Sequence, residues 1–201
     1  MIIVGLAGLS GSGKTTMAKT LSKSFDSEII HVDDIVKQIA FDNKLSAVLS
    51  KALGIKVLNE SGNLSGNYLF GFICGHMIHI LPLSVPALQI LDKKVNDIIK
   101  NSNKQIAIVD FKHLPMMTIW DKCDIKCLIT ADEKVRFEHI AGRSESAEYA
   151  TVKSKETFNY KKYKFDMVLQ NNDSQTLNDS VKLLSDKINT LIPAASPLSQ
   201  I

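Results

Sequence analysis

The sequence predicts an α/β fold with a central parallel sheet, and two observations support this prediction. Short apolar segments alternate along the 201 residues with segments of helical spacing, the order typical of parallel strands joined by right-handed helical crossovers. The first apolar segment, Ile2–Ala7, continues directly into a glycine-rich loop and then into a helix starting at Lys14. We therefore expect a three-layer fold in which helices cover both faces of a five-stranded parallel sheet.

The predicted elements follow in order along the chain. Apolar residues at Met17, Leu21 and Phe25 indicate the first helix, because they recur on one helical face. The next apolar run predicts a second strand and is followed by the start of a helix. The stretch 43–101 has mostly helical spacing with glycine and proline breaks, so we expect a helical insert there. The strands after the first, including this second one, are predicted at 28–32, 105–109, 124–130 and 165–169. The helices after the first are predicted at 35–40, 132–142 and 177–191.

Composition and charge favour an ordinary globular protein. The sequence is 45% hydrophobic and 22% charged, which is typical of that class. Its net charge of +3 comes without a basic stripe, so nucleic acid is not an expected partner. The most apolar stretch, 68–91, is interrupted by glycines, histidines and prolines and predicts no membrane span. The N-terminus lacks the features of a signal peptide, and we expect a cytoplasmic protein that is a monomer or weak oligomer.

The segment 8–15, which reads Gly-Leu-Ser-Gly-Ser-Gly-Lys-Thr, fits the phosphate-binding pattern G-x-x-x-x-G-K-[ST] at every position. Glycines allow successive backbone N–H groups to turn toward phosphate oxygens, and Lys14 supplies a compact positive charge for the β and γ phosphates. Thr15 is the expected ligand of Mg²⁺. Because the motif lies between a strand and a helix, the sequence predicts a P-loop NTPase fold that binds ATP. We assign nucleotide binding to Gly8, Ser10, Gly11, Ser12, Gly13, Lys14, Thr15 and Thr16.

Acidic residues follow two of the predicted strands, at the edge where ligands bind in an open parallel sheet. Asp33 comes after the second strand and is a candidate general base toward an acceptor hydroxyl, while Asp34 is better placed to start the next helix. Helix capping is the alternative for both acids. Asp110 ends the third strand, where P-loop proteins commonly keep an acid that holds Mg²⁺ through water, although aspartate is also a common turn residue there.

Arginine is rare in this chain, because only two of the 24 basic residues are arginines, Arg136 and Arg143. They are seven residues apart, a spacing that returns to the same face of a helix. The guanidinium fork suits bidentate contact with phosphate better than lysine does. We assign the phosphate role to Arg143, which follows a predicted hinge glycine, and expect Arg136 on a solvated face. The predicted catalytic residues are therefore Lys14, Asp33 and Arg143.

Several segments together resemble the dephospho-CoA kinase family, and the match extends discontinuously over nearly the whole chain. It opens with Val-Gly-Leu-Ala-Gly at 4–8 and continues with His-Val-Asp at 31–33. The segment 53–64 is similar to the family's Phe-Gly and Asp-Gly-x-Leu stretch in its helical insert. Ala-Asp-Glu begins a lid helix at 131–143, and Asp-Met-Val-Leu-Gln-Asn at 166–171 resembles the family's last strand.

The resemblance implies an ATP-dependent kinase that phosphorylates the ribose 3′-hydroxyl of dephospho-CoA. It places the family's catalytic aspartate on Asp33, its lid arginine on Arg143 and an asparagine near adenine on Asn171. The implied organisation is a core at 1–42, 102–131 and 161–192, a helical acceptor-binding insert at 43–101, and a lid at 132–160. The chain departs from the family at Ser65 and Gly66, at Val85, at Lys112 in place of a proline, and at Glu138 and His139 in the lid.

Two other functions fit the same motifs. A kinase for nucleosides or nucleoside monophosphates would share the phosphate loop, the aspartate and the arginine lid, so only the insert discriminates it. A non-catalytic nucleotide-binding protein is the alternative outside enzymes, although it would not require the full set of predicted catalytic residues. We interpret His76 and His79 as core or acceptor-site histidines, and the three cysteines, Cys74, Cys123 and Cys127, as reduced structural thiols.

Overall fold

The computed structural model describes residues 1–41, 81–143 and 147–193, and its elements are numbered in chain order. The strands are β1 (Ile2–Ala7), β2 (Ser27–His31), β3 (Ile106–Asp110), β4 (Ile125–Thr130) and β5 (Met167–Gln170). The helices are α1 (Lys14–Leu21), α2 (Val32–Phe41), α3 (Leu81–Asn101), α4 (Glu133–Ala141), α5 (Ala147–Ser154) and α6 (Ser174–Asn189). The segment 53–64 and the two histidines His76 and His79 lie outside the described residues.

The five strands form one parallel sheet in the order β2-β3-β1-β4-β5. β1 lies at the centre, paired with β3 on one side and with β4 on the other. The register places Leu6 of β1 and His31 of β2 on either side of Asp110, so the carboxyl ends of three neighbouring strands lie level. The predicted α/β fold with a five-stranded parallel sheet is confirmed.

The second strand ends earlier than the sequence predicts. β2 stops at His31 and α2 begins at Val32, so Asp33 and Asp34 both lie in the first turn of that helix. Acidic residues in the first turn are stabilised by the partial positive charge at a helix N-terminus. Asp33 therefore keeps its place at the carboxyl edge of the sheet, but on the start of a helix.

Two hydrophobic clusters cover the two faces of the sheet. On one face α2 and α3 pack with the segment 114–123, in which Trp120 is 5% exposed. On the other face α1 and α6 pack against the strands through residues such as Met17 and Leu184, which are fully buried. Burial of side chains of this size contributes about 1.5–3 kcal/mol each. The two clusters thus fix the helices on the sheet and position the loops at its edge.

The helix α3 is the described part of the predicted insert, and a buried aspartate ties it to the core. The carboxylate of Asp92 accepts hydrogen bonds from the backbone N–H groups of Thr118 and Ile119, at 2.9 and 3.0 Å. These bonds satisfy donors at the start of a short 3₁₀ turn that would otherwise lack partners. None of the helices within the described ranges is long and apolar enough to cross a membrane.

A close contact beneath β1 involves one glycine and one of two buried cysteines. A Cβ atom on Gly5 would lie 2.8 Å from Sγ of Cys123 and 3.0 Å from the ring of Trp120, so a larger residue would force a shift. Cys123 and Cys127 are free and buried, and burial raises the pKa of each to about 12. Both thiols are therefore protonated at neutral pH. Cys74 lies outside the described residues.

Candidate active site

The phosphate loop connects β1 to α1 at the carboxyl edge of the sheet. Gly11 and Gly13 have φ angles of 79° and 94°, a left-handed conformation that side chains disfavour. A Cβ atom on Gly11 would lie 2.5 Å from the backbone oxygen of Arg136. One on Gly13 would lie 1.9 Å from Nδ2 of Asn171. The loop therefore requires glycine at both positions, for its backbone shape and for its close packing.

Lys14 opens α1 and is nearly buried, with 8% of its surface exposed. Its Nζ donates a hydrogen bond to the backbone oxygen of Leu9 at 3.2 Å, so the side chain reaches back to the start of the loop. The N-terminus of α1 adds partial positive charge at the same place. Backbone donors, a helix N-terminus and a lysine ammonium together form an anion site.

Thr15, Asp110 and His31 meet at the foot of the loop. Oγ1 of Thr15 donates to Oδ2 of Asp110 at 2.7 Å, and Nδ1 of His31 lies 3.1 Å from the same oxygen. Parallel pairing of β3 with β1 and β2 produces these contacts, because it brings the end of β3 beside the loop. A hydroxyl and a carboxylate are oxygen donors of the type that Mg²⁺ prefers. The two residues predicted to hold the metal thus lie in direct contact.

The charge state of Asp110 follows from its neighbours. Burial raises the pKa of its carboxyl, but the hydrogen bond from His31, the charge of Lys14 and the hydrogen bond from Thr15 lower that pKa by more. Asp110 is therefore ionised at neutral pH. The same hydrogen bond raises the pKa of His31 above its usual value, against the opposing effect of burial. Over the described ranges no group of three or more His, Cys, Asp or Glu side chains could hold a metal ion.

Three side chains from outside the loop contact its backbone oxygens. These contacts lie on the side of the loop that faces β5 and the helix α4. Because they engage the carbonyl groups on that side, they favour a loop whose N–H groups point inward, as phosphate binding requires. The pairs are Asn171 Nδ2 with Ser12 at 3.0 Å, His139 Nδ1 with Gly11 at 2.8 Å, and Arg136 Nη1 with Ser10 at 3.4 Å.

The prediction that Arg136 lies on a solvated face is wrong. Its side chain is buried, with 7% of the residue exposed. Besides its contact with Ser10, it donates through Nη2 to the backbone oxygen of Ser154 at 2.5 Å, so it links the phosphate loop to the end of α5. The seven-residue spacing cannot show which face of α4 packs on the loop, because this helix carries few apolar residues to mark its inner side.

Arg143 and Thr16 are exposed. Arg143 lies just past the end of α4, and its Nε donates to the backbone oxygen of His139 at 2.8 Å. Asp33 is half-buried in the first turn of α2, two residues after His31. The predicted residues that the structure brings together around the loop are Lys14, Thr15, Asp110 and Asn171.

Sequence reasoning assigned no role to several contacts of the loop. Oγ of Ser10 donates to Oε2 of Glu156 at 3.1 Å, although the two residues are 146 positions apart. No motif marks such a pair, since only the fold brings its members together. His31 is signalled only by the family resemblance, as the first residue of the matching segment 31–33.

Comparison with known families decides the assignment. A family model for dephospho-CoA kinase matches residues 2–177, a range that includes every residue of the site. The chain belongs to the dephospho-CoA kinase family. Enzymes of this family transfer a phosphoryl group to an alcohol, so the protein is a phosphotransferase with an alcohol acceptor.

Solved structures share the fold of this dephospho-CoA kinase family member at low sequence identity. TT1252 from Thermus thermophilus has a TM-score of 0.69 and 19% identity, over 94% of this chain and 97% of that one. A shikimate kinase from Bacteroides thetaiotaomicron has a TM-score of 0.52 and 10% identity, over 94% and 98%. A deoxyadenosine kinase from M. mycoides has a TM-score of 0.50 and 15% identity, over 94% and 100%. No curated protein matches the sequence.

The different environments of the two arginines predict different effects on stability. Arg136→Ala should lower the free energy of unfolding by about 1–3 kcal/mol, because the buried carbonyl of Ser154 loses its donor. Arg143→Ala should change it by less than about 0.5 kcal/mol, because that side chain is exposed. Urea unfolding followed by circular dichroism measures both values. Both variants replace arginine by alanine in α4 or just after its end, so equal losses would contradict the positions described above.

Proposed function

We propose that this kinase transfers the γ-phosphoryl group of ATP to the ribose 3′-hydroxyl of dephospho-CoA, forming coenzyme A. The observation that carries the proposal is the hydrogen bond from Thr15 to Asp110 at the foot of the phosphate loop, in a chain whose family match covers residues 2–177. Phosphoryl transfer requires a metal-binding acid beside the hydroxyl of the loop. A protein that only holds a nucleotide does not require that pair.

The triphosphate is proposed to lie along the loop at 8–15, within reach of its backbone N–H groups. Lys14 now donates to Leu9, and it would turn from that carbonyl to the β and γ phosphates. Asn171 holds the loop through Ser12. Since the family resemblance places the adenine near Asn171, we assign it the role of fixing the loop beside the base.

Mg²⁺ is the cation that fits the oxygen donors of Thr15 and Asp110. Oγ1 of Thr15 donates its hydrogen bond to Asp110, which leaves the lone pairs of that hydroxyl available to a cation. The ionised carboxylate of Asp110 would hold the cation through its water shell. When bound, the cation neutralises negative charge on the phosphates.

Asp33 is proposed as the general base. It lies half-buried in the first turn of α2, at the sheet edge that also carries His31 and Asp110. A carboxylate at this edge can accept the proton of the acceptor hydroxyl while the ribose oxygen attacks the γ-phosphorus. The new O–P bond forms as the bond between the γ-phosphorus and the bridging oxygen breaks, and ADP leaves with that oxygen.

Arg143 is proposed to stabilise charge on the transferring group from the lid at 132–160. Its guanidinium is held through Nε on the backbone of His139, and such a group can still offer both Nη atoms to phosphate oxygens. On this assignment Arg143→Lys lowers kcat more than it raises KM for ATP. The insert at 43–101 is proposed to bind the acceptor, and the enzyme to act in the cytoplasm as a monomer or weak oligomer.

Dephospho-CoA, with ATP and Mg²⁺, should yield a product phosphorylated at the ribose 3′ position. Adenosine and adenosine monophosphate share the reacting ribose but lack the pantetheine arm. Their kcat/KM values should be lower by about a hundredfold or more, because binding energy from the remote arm positions the hydroxyl. A coupled assay of ADP release measures the rates, and phosphorus NMR locates the new phosphate.

The assay without acceptor corrects for hydrolysis of ATP, and the Lys14→Ala protein gives the background of contaminating kinases. A higher kcat/KM for a nucleoside monophosphate would overturn the acceptor assignment and leave the kinase assignment intact. ATP binding without turnover of any of the three acceptors would instead favour the non-catalytic alternative.

A further inference from the structure

His31 and Asp110 lie side by side where two neighbouring strands end. His31 is the last residue of β2, and Asp110 is the last residue of β3. The two are partners in the parallel register, so their side chains leave the sheet on the same face. Nδ1 of His31 lies 3.1 Å from Oδ2 of Asp110. The sheet backbone therefore places the imidazole against the carboxylate.

The hydrogen bond between these residues runs from the imidazole to the carboxylate. Asp110 is ionised at neutral pH, and an ionised carboxylate only accepts hydrogen bonds, so Nδ1 of His31 is the donor. Oγ1 of Thr15 donates to the same oxygen, Oδ2, at 2.7 Å. Donors from β2 and from α1 thus meet at one oxygen of Asp110, and neither of these two bonds uses Oδ1.

The two donors have different tasks. Thr15 is the proposed ligand of Mg²⁺, and its hydroxyl gives the carboxylate one point of attachment. A carboxylate turns about its Cβ–Cγ bond in a broad, roughly twofold potential, so one donor alone leaves its orientation loosely defined. A second donor, on a rigid ring at the end of a strand, restricts that rotation. His31 therefore keeps Oδ2 toward Thr15 and leaves Oδ1 for the water shell of a cation.

The burial of the pair strengthens this hydrogen bond. The side chain of Asp110 is 5% exposed and that of His31 is 24% exposed, so little solvent competes with the imidazole for Oδ2. Hydrogen bonds to metal-binding carboxylates orient them, and loss of such a partner typically weakens metal binding by about ten- to a hundredfold. We propose that His31 is a positioning residue for Mg²⁺, whose Nδ1–H group holds Oδ2 of Asp110 so that Oδ1 serves the water shell of the cation.

This role rests on the metal site of the proposed function and is independent of the identity of the acceptor. It also separates His31 from Asp33, which lies two residues later in the first turn of α2. Asp33 is proposed to act on the acceptor hydroxyl, whereas His31 acts on the cation through Asp110. Metal affinity in the absence of an acceptor therefore tests the role of His31 without engaging the proposed base.

Binding of Mn²⁺ to the complex of the full chain with ADP tests the proposal, since Mn²⁺ takes the same oxygen ligands as Mg²⁺. His31→Ala removes the donor and should weaken Mn²⁺ binding by about ten- to a hundredfold. His31→Asn should stay within about threefold of the wild type, because its amide nitrogen occupies the place of Nδ1 and donates. His31→Gln is the matched control, because its amide nitrogen reaches the place of Nε2, and it should behave like His31→Ala. Electron paramagnetic resonance of free Mn²⁺ measures these affinities, with protein in excess over ADP.

ADP binding in EDTA, measured by calorimetric titration, separates this role from a general effect on the loop and should change by less than about twofold in every variant. Retention of Mn²⁺ affinity in both His31→Ala and His31→Gln, equal weakening in all three variants, or an equal loss of ADP binding in EDTA would overturn the proposal. A wild-type complex that does not bind Mn²⁺ would instead overturn the metal site of the proposed function, and this role with it. Circular dichroism checks folding, and if His31→Ala does not fold, the comparison of His31→Asn with His31→Gln decides.

Discussion

Lys14→Ala is expected to abolish measurable turnover, lowering kcat/KM by about three orders of magnitude or more. The substitution removes the ammonium group that reaches back to Leu9, while the backbone donors of the loop remain. ATP binding should weaken for the same reason. Alanine is a good helix former at the first position of α1, so the fold should survive. A coupled assay of ADP release and calorimetric titration with ATP measure the two effects.

Lys19→Ala is the control for this experiment. Lys19 lies in the same helix and is exposed, so its replacement should leave both the rate and the affinity unchanged. Undiminished turnover by Lys14→Ala would show that the loop is not the catalytic site.

Asp33→Asn is expected to lower kcat by roughly two to four orders of magnitude, the range for loss of a positioned base. The amide cannot accept the proton of the acceptor hydroxyl, although it has nearly the shape of the carboxylate. ATP binding should stay within about threefold, because the nucleotide is held by the loop and not by the proposed base. Steady-state kinetics with dephospho-CoA measures kcat, and calorimetric titration measures the affinity for ATP.

Asp34→Asn provides the comparison, because Asp34 is the next residue in the same helical turn and is exposed. Both substitutions remove one charge from the N-terminus of α2, so an effect through helix stability should be similar in the two variants. A loss of turnover confined to Asp33→Asn supports the base. A change in ATP affinity alone would indicate a metal-binding role, and full activity would support the helix cap.

Much of the fold could be predicted from local patterns. The apolar runs and the helical spacing identify all five strands and the helices α1, α2, α4 and α6, because burial on a sheet or on one helical face requires apolar residues at regular intervals. The end of β2 could not be placed, since Val32 is as apolar as the strand before it and nevertheless starts α2. The strand order also depends on contacts between distant segments, which no local pattern encodes.

The site likewise combines features that local patterns reveal with contacts between distant segments that they do not reveal. The phosphate loop is contiguous, so its chemistry is visible in eight successive residues. Asp110 lies 95 positions from Thr15, but Asp110 ends β3 and Thr15 belongs to the loop segment after β1. Parallel packing puts the ends of such strands at one edge of the sheet. No pattern in the sequence indicated that Arg136 is buried. Its position depends on how α4 docks against the loop, and the charged composition of that helix does not specify a buried face.

The central position of β1 in the sheet affects how the protein folds during its synthesis. Its partners lie far ahead in the chain, since Ile2 pairs with Ile106 and Val4 with Ile125. Roughly half of the chain must therefore be synthesised before a strand that pairs with β1 in the final sheet is available. Closing so long a segment is entropically costly and slow, and exposed apolar strands in such intermediates are prone to aggregate. The phosphate loop precedes β3 in the chain, so its contact between Thr15 and Asp110, which are 95 positions apart, forms only after β3 has been synthesised.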